Sequence, residues 1–145
     1  MVTSQLTLAG AQVIIDACVT SATKSKLGAF NISVCDASTN EIAFARMPGA
    51  KITSIDIARG KAFTSAGHKA PTRKFASYAG VNGPAFGLHV TNGGRFSIVP
   101  GGLPIVDGSR EVIGSVGVSG GSPDQDEEVA RAGVVALARF RVSKL

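Results

Sequence analysis

The stretch Pro100–Glu128, PGGLPIVDGSREVIGSVGVSGGSPDQDEE, decides the fold, because it carries two strand signals and the start of a helix. Two apolar runs rich in β-branched residues flank Asp107–Arg110, a glycine-containing turn of the kind that joins antiparallel strands. Gly114 and Gly117 lie inside the second run, where a missing side chain allows another backbone, a helix or a flat ligand to come close. The stretch therefore predicts a β-hairpin with a close neighbour on its second strand.

The end of the same stretch predicts a helix that begins at Pro123. Ser122 is a favoured N-cap residue, proline suits the first helical position, and Gln125 follows the cap at the capping-box spacing. Acidic residues come next, where they face the positive end of the helix dipole. Small residues further along the helix allow it to lie close to a sheet.

Outward from this stretch, hydrophobic periodicity and turn residues predict the remaining elements. Helices are expected from Thr7 to about Lys26, from Thr53 to Gly67 and from Pro71 to about Tyr78, and strands at Phe30–Cys35, Glu41–Met47 and Arg95–Val99. The resulting order is α-β-β-α-α-β-β-β-α. It predicts an α+β fold, in which helices flank a central antiparallel sheet of about five strands.

Composition limits the class of protein. The chain has 145 residues of which 44% are hydrophobic, enough for one core, so a single domain over residues 1–145 is expected. Its net charge is +5, but the basic residues are dispersed and do not alternate with aromatic residues, which argues against nucleic-acid binding. No apolar run approaches the roughly 20 residues that span a bilayer, so a cytoplasmic protein without a membrane partner is expected. Cys18 and Cys35 lack metal-site spacing and are expected to be buried free thiols.

Several short motifs, taken in order and with their spacing, resemble one family. They are Leu6–Leu8, Val34–Ala37, Ala43–Ala50, Ser54–Ala58, Lys61–Ala62, Pro71–Thr72, Gly101–Ile105, Gly114–Gly121 and Asp126–Glu127. Over nearly its whole length the chain resembles the GlcG/HbpS-like family of haem-binding or haem-degrading domains, which includes the C-terminal domain of the corrinoid adenosyltransferase PduO. The resemblance implies a compact domain with an antiparallel sheet and flanking helices. It also implies a homo-oligomer that binds haem or another tetrapyrrole.

Candidate ligand-binding residues lie upstream of the opening stretch and at its glycine pair. The imidazole of His68 is a normal axial ligand for haem iron, although a histidine at a helix end also serves as a solvent-facing or capping residue. Thr72 matches the Pro-Thr position of the family, or it caps a helix. His89 is expected to be a loop or edge residue. Arg46 and Lys61 could pair with the propionates of a ligand, or they could form surface ion pairs. Gly101-Gly102 could form an anion-binding concavity, or simply a tight turn.

A basic segment and a few proton-transfer residues leave other functions open. Five basic residues without an intervening acid should attract small molecules that carry carboxylates; they are Arg59, Lys61, Lys69, Arg73 and Lys74. Relatives in catabolic gene clusters suggest an alternative, an isomerase or tautomerase that acts on a small organic acid. Its candidate proton carriers are Tyr78, Lys61, His68 and Asp36. A third possibility is an accessory role in an oligomer, with the apolar loop Val81–Leu88 at the interface.

Overall fold

The computed structural model describes residues 4–143, so both ends of the expected domain lie outside the described residues. The regular elements follow in chain order. They are α1 (Leu8–Lys24), β1 (Asn31–Asp36), β2 (Glu41–Arg46), α2 (Ser54–His68), α3 (Phe75–Tyr78), β3 (Gly102–Val106), β4 (Val112–Ser119) and α4 (Pro123–Ser143). Short 3-10 turns lie at Thr72–Lys74, Leu88–Val90 and Asn92–Gly94.

The four strands form one antiparallel sheet in the order β2-β1-β4-β3. Side chains alternate between its faces, as the pleat requires. One face packs against α1 and α4, and the other packs against α2. The predicted α+β architecture is confirmed, with four strands where about five were expected.

The main hydrophobic core lies between the sheet and the helices α1 and α4. Ile32 and Val34 of β1 point into it beside Val116 and Val118 of β4, and all four side chains are fully buried. Helix α4 approaches α1 closely at Gly133, where a Cβ atom would lie 2.7 Å from Ile14 Cγ2. The small residues predicted for this helix therefore do allow close packing.

The opposite face of the sheet is in backbone contact with α2. A Cβ atom at Gly117 would overlap the carbonyl oxygen of Ala58 and the amide nitrogen of Ala62. Next to it on the same face, Ser115 Oγ donates a hydrogen bond of 2.6 Å to the carbonyl oxygen of Ala62. The close neighbour predicted for β4 is thus a helix.

The two local motifs of the opening stretch form as predicted. Ser122 Oγ accepts a hydrogen bond from the amide of Gln125 at 3.2 Å, and Gln125 Oε1 accepts one from the amide of Ser122 at 3.0 Å, which is a reciprocal capping box. In the hairpin turn, Asp107 Oδ1 accepts hydrogen bonds from the amides of Ser109 and Glu111.

The segment Arg95–Val99 differs from the prediction, because it runs as irregular backbone beside α2 and not as a strand. The amide of Ser97 donates to Thr64 Oγ1 at 2.7 Å, and the carbonyl oxygen of Val99 accepts from Thr72 Oγ1 at 2.7 Å. Threonine side chains thereby satisfy backbone groups that a strand would have paired with a neighbour.

Candidate functional site

Lys61, Thr72, Gly101 and Gly102 meet at one junction, where α2 passes the start of β3. The Lys61 side chain is only 1% exposed, and its Nζ atom lies 2.8 Å from Asp126 Oδ2 and 2.9 Å from the carbonyl oxygen of Val118. A Cβ atom at Gly101 would lie 2.7 Å from Lys61 Nζ, so the glycine makes room for the ammonium group.

Lys61 is therefore engaged within its own chain. Asp126 Oδ1 accepts hydrogen bonds from the amides of Gly120 and Gly121, which completes the surroundings of the carboxylate. Burial lowers the pKa of Lys61 and raises that of Asp126, and their mutual hydrogen bond opposes both shifts. The cation expected to meet a ligand carboxylate thus has an internal carboxylate as its partner.

Thr72 and the pair Gly101-Gly102 also make their contacts within the chain. The Thr72 hydroxyl donates to the carbonyl oxygen of Val99 at 2.7 Å and accepts from the amide of Gly102 at 2.9 Å. A Cβ atom at Gly102 would lie 2.5 Å from the carbonyl oxygen of Lys61. These contacts favour the tight-packing interpretation of Gly101-Gly102, because the Gly102 amide already has its acceptor.

His68 lies apart from this junction, at the exposed end of α2. Its ring stands edge-on to Phe75, with centroids 5.2 Å apart, and to Phe96, at 4.8 Å. The two phenylalanine rings are themselves 5.1 Å apart. We call His68, Phe75 and Phe96 the aromatic cluster. Tyr78 extends it, 6.4 Å from the Phe75 ring. The histidine is a candidate from the sequence, whereas Phe75 and Phe96 are not, because they lie 21 positions apart and meet only in the folded chain.

Some residues of the predicted basic segment have acidic partners, and others do not. Arg59 Nε lies 3.0 Å from Glu41 Oε1, and Arg73 pairs with Asp124 and Glu127. Lys69 and Lys74 are exposed, and neither has an ion-pair partner among residues 4–143. The free positive charge of this segment is therefore next to His68.

Arg46 lies at the other end of the sheet from His68. It pairs with Asn31 at the first residue of β1, whereas Gly67, next to His68, faces Thr39 in the turn that follows β1. Since β1 has 6 residues, about 17 Å of strand separates the two ends. One small ligand does not meet both side chains.

The remaining candidates for proton transfer do not form a catalytic group. Asp36 Oδ1 accepts hydrogen bonds from the amides of Ser38 and Asn40, so it caps the β1–β2 turn. Tyr78 is half exposed beside the aromatic cluster. His89 lies in the 3-10 turn Leu88–Val90, partly buried in the connection before β3.

The thiols and possible metal ligands give no metal centre within the described part of the chain. No three side chains of the histidine, cysteine, aspartate or glutamate type come together there. Cys18 and Cys35 are buried and unpaired, as predicted. Nor does any helix in residues 4–143 combine the length and apolarity that crossing a membrane would need.

Comparison with known proteins agrees with this architecture. The family model described as "Haem degrading protein HbpS-like" matches residues 6–135. This chain belongs to the HbpS-like family. An uncharacterized 15.0 kDa protein from the dhaT-dhaS intergenic region of Citrobacter freundii is 38% identical to this HbpS-like chain over 98 residues, which make up 68% of either protein.

Two crystal structures show the same fold as this HbpS-like chain. Protein ORFY of Klebsiella pneumoniae superposes with a TM-score of 0.89 at 34% identity, covering 95% of this chain and 94% of its own. The structure described as a PduOC:heme complex superposes with a TM-score of 0.85 at 26% identity, covering 92% of this chain and 95% of its own.

Proposed function

We propose that this HbpS-like protein binds haem, or a related tetrapyrrole, at the aromatic cluster and does so as a homo-oligomer. The observation that carries the proposal is the exposed imidazole of His68, held edge-on against Phe75 and Phe96. A haem site needs a nitrogen or other axial ligand beside an apolar surface that covers a flat ring. His68 meets the first requirement, and because Phe75 and Phe96 are themselves buried, the apolar cover would come from the half-exposed ring of Tyr78 beside them.

Charge next to the cluster supports a ligand that carries carboxylates. Haem has two propionates, and exposed ammonium groups are offered by Lys69, just after α2, and by Lys74, at the end of the 3-10 turn Thr72–Lys74. They replace Arg46 and Lys61 in the proposal, because Arg46 lies at the far end of the sheet and Lys61 is buried against Asp126. Thr72 and Gly101-Gly102 keep a supporting role, since they fix the turn that carries Lys74.

The residues of the aromatic cluster would have different roles in binding. His68 would hold the iron through a ring nitrogen, while Phe75 and Phe96 keep water from one side of the imidazole. Bound haem would supply an iron centre whose chemistry depends on its axial ligand and on solvent access. The similarity to a protein crystallised with haem, and to a family described as haem-degrading, is consistent with this assignment.

An oligomer would cover apolar groups that one chain leaves in water. Val81 is 81% exposed, Phe86 63% and Val90 69%, all in the connection beside the aromatic cluster. Exposed apolar side chains that cluster in this way mark interaction surfaces. A second copy on this connection would also shield a flat ligand at His68.

The enzymatic alternative has less support. Of its four candidate proton carriers, Lys61 is neutralised by Asp126, and Asp36 caps a turn. The two that remain, His68 and Tyr78, lie at the aromatic cluster and are accounted for by the haem proposal.

Titration with haemin tests the proposal through the Soret band. We expect a saturable shift for the wild type and an affinity at least about tenfold lower for His68→Ala, since the iron loses its ligand. The double variant Lys69→Gln/Lys74→Gln should bind more weakly with an unchanged band position. Arg46→Ala, which also removes an exposed cation, should bind as the wild type does.

Three results decide the outcome. The absence of a saturable shift in the wild type would reject haem as the ligand. Equal affinity of wild type and His68→Ala would reject the site. Sedimentation of the haem-free and haem-bound protein tests the oligomer, and a monomer in both states would contradict it.

A further inference from the structure

Two neighbouring cavities lie between α2 and the irregular segment that precedes β3. The first, about 350 Å³, has Ser33, Cys35 and Phe63 in its wall, and the second, about 390 Å³, has Ile57, His89 and Ile98. Both are lined by Asp56, Gly60, Gly94 and Arg95. We call the two together the paired cavity. Its volume is in the range of small-molecule sites.

Arg95 presents an uncompensated positive charge to the paired cavity. Its guanidinium carbon lies 4.2 Å from the centre of the Phe63 ring, and its Nε atom donates to the carbonyl oxygen of Asn92 at 3.1 Å. These two contacts fix the plane of the guanidinium group. Its two terminal nitrogens have no acceptor within residues 4–143, so they are available for a ligand carboxylate.

Asp56 presents the matching negative charge. Its carboxylate has neither a hydrogen bond from a side chain nor an ion pair within the described residues. The other two charged residues of the wall, Glu41 and Arg59, neutralise each other at 3.0 Å. The wall therefore has zero net charge but retains one free cation and one free anion.

The spacing along α2 keeps these two charges from pairing. Asp56 and Phe63, on which Arg95 stacks, are seven residues apart, or about 10.5 Å along the helix axis. Gly60 lies between them, and a Cβ atom there would be 2.8 Å from the carbonyl oxygen of Arg95. Asp56 and Arg95 line both cavities over this stretch of α2, so a small molecule with an ammonium group and a carboxylate can contact both, with a hydrogen bond of about 2.9 Å at each end.

The second cavity offers an apolar compartment with one unsatisfied polar atom. Ile57, Phe96, Ile98 and Val99 line it, and His89 Nδ1 is buried without a hydrogen-bond partner in the described part of the chain. Buried polar atoms nearly always have a partner, so the His89 side chain gives this wall a polar group that the described residues leave unsatisfied.

We propose that the paired cavity binds a small zwitterion of the amino-acid type. Asp56 takes its ammonium group, Arg95 takes its carboxylate, and its side chain enters the compartment beside His89. Each of the two charged residues is exposed, so either contact alone is weak, whereas a zwitterion engages both at once. The ligand and its two charged anchors are separate from the haem proposal, although Phe96 borders both sites.

Calorimetric titration with each of the twenty standard amino acids, at concentrations up to about 10 mM, tests the proposal. We expect saturable binding of at least one. The strongest is then compared with its analogues that lack the amino group or the carboxylate; for leucine these are 4-methylpentanoate and 3-methylbutylamine. Both analogues should bind at least about tenfold more weakly, because each loses one charge contact.

Variants assign the two contacts. Asp56→Asn should lose the advantage of the amino acid over its deaminated analogue, and Arg95→Gln should weaken binding of both at least about tenfold. Lys51→Gln, an exposed charge outside the cavity, should change neither. The proposal is overturned if no amino acid binds, if the deaminated analogue binds the wild type as tightly, or if Asp56→Asn and Arg95→Gln both retain wild-type affinity.

Discussion

At the level of single residues, burial controls the ionisation of the two cysteines. Loss of solvent raises the pKa of Cys18 from 9.0 to about 12 and that of Cys35 to about 11. The thiolate is the reactive form, so neither side chain is a nucleophile near neutral pH. Their role is to fill space, Cys18 between α1 and α4 and Cys35 under α2.

These shifts predict a loss of stability in base. A raised pKa means that the folded state holds the thiol proton more tightly than the unfolded state does. The contribution is complete below pH 9.0 and is lost as the pH rises through the folded values of about 11 and 12. Between pH 8 and 10, the free energy of unfolding of the wild type should fall by about 2 to 3 kcal/mol more than that of Cys18→Ala/Cys35→Ala. Urea denaturation at both pH values measures this difference, and equal losses would contradict it.

Residue type could be inferred from the sequence, but partners could not. His68 is a candidate because imidazole is a normal axial ligand for haem iron, which is a property of the residue type. Lys61 was expected either to face a ligand carboxylate or to form a surface ion pair, yet its pair is buried, and the partner is Asp126, 65 positions further along the chain. The helix dipole explains why acidic residues begin α4. It does not predict that one of them, Asp126, is the partner of a buried lysine.

At the level of elements, structure that depends on neighbouring residues was predicted correctly, and structure that depends on distant residues was not. The capping box of Ser122 and Gln125 and the turn at Asp107 are complete within a few residues, so the sequence contains their whole cause. Arg95–Val99 has a strand-like pattern, but its backbone is held by Thr64 and Thr72 from earlier elements. Such long-range competition is not visible in local periodicity.

The contact between α2 and β4 predicts the effect of one methyl group. Gly117→Ala places a Cβ atom against the backbone of Ala58 and Ala62, which cannot turn away as a side chain could. We expect the free energy of unfolding to fall by about 3 kcal/mol or more. Gly108→Ala in the hairpin turn is the control, because a Cβ atom there meets nothing within 4 Å. Urea denaturation compares the two, and a similar small effect of both would show that α2 is not in tight contact.

At the level of the whole molecule, the Lys61–Asp126 ion pair joins elements from both faces of the sheet. α2 covers one face and α4 the other, and the pair connects them past the end of β4. Lys61→Met leaves a buried carboxylate without its counter-charge, so we expect a loss of about 3 to 5 kcal/mol in the free energy of unfolding. Denaturant titration followed by circular dichroism measures it.

The double variant Lys61→Met/Asp126→Leu separates the charge effect from packing. With both charges removed, no desolvated ion remains, and much of the lost stability should return. If the double variant is as unstable as the sum of its single variants, the pair is not energetically coupled and the prediction fails. The pair between the exposed Arg131 and Glu127 serves as the reference; Glu127 keeps Arg73 as a second partner, so Arg131→Gln should cost less than about 1 kcal/mol.

The glycine contact at Gly117 also limits how this fold can adapt. Since the backbones of α2 and β4 already touch, the helix can neither sink toward the sheet nor accept a larger residue beneath it. The layer spacing is thus fixed on that side. A protein of this architecture that changes its ligand has to do so through the chain between α3 and β3, where both proposed sites have their outer walls, and not by resizing the layers.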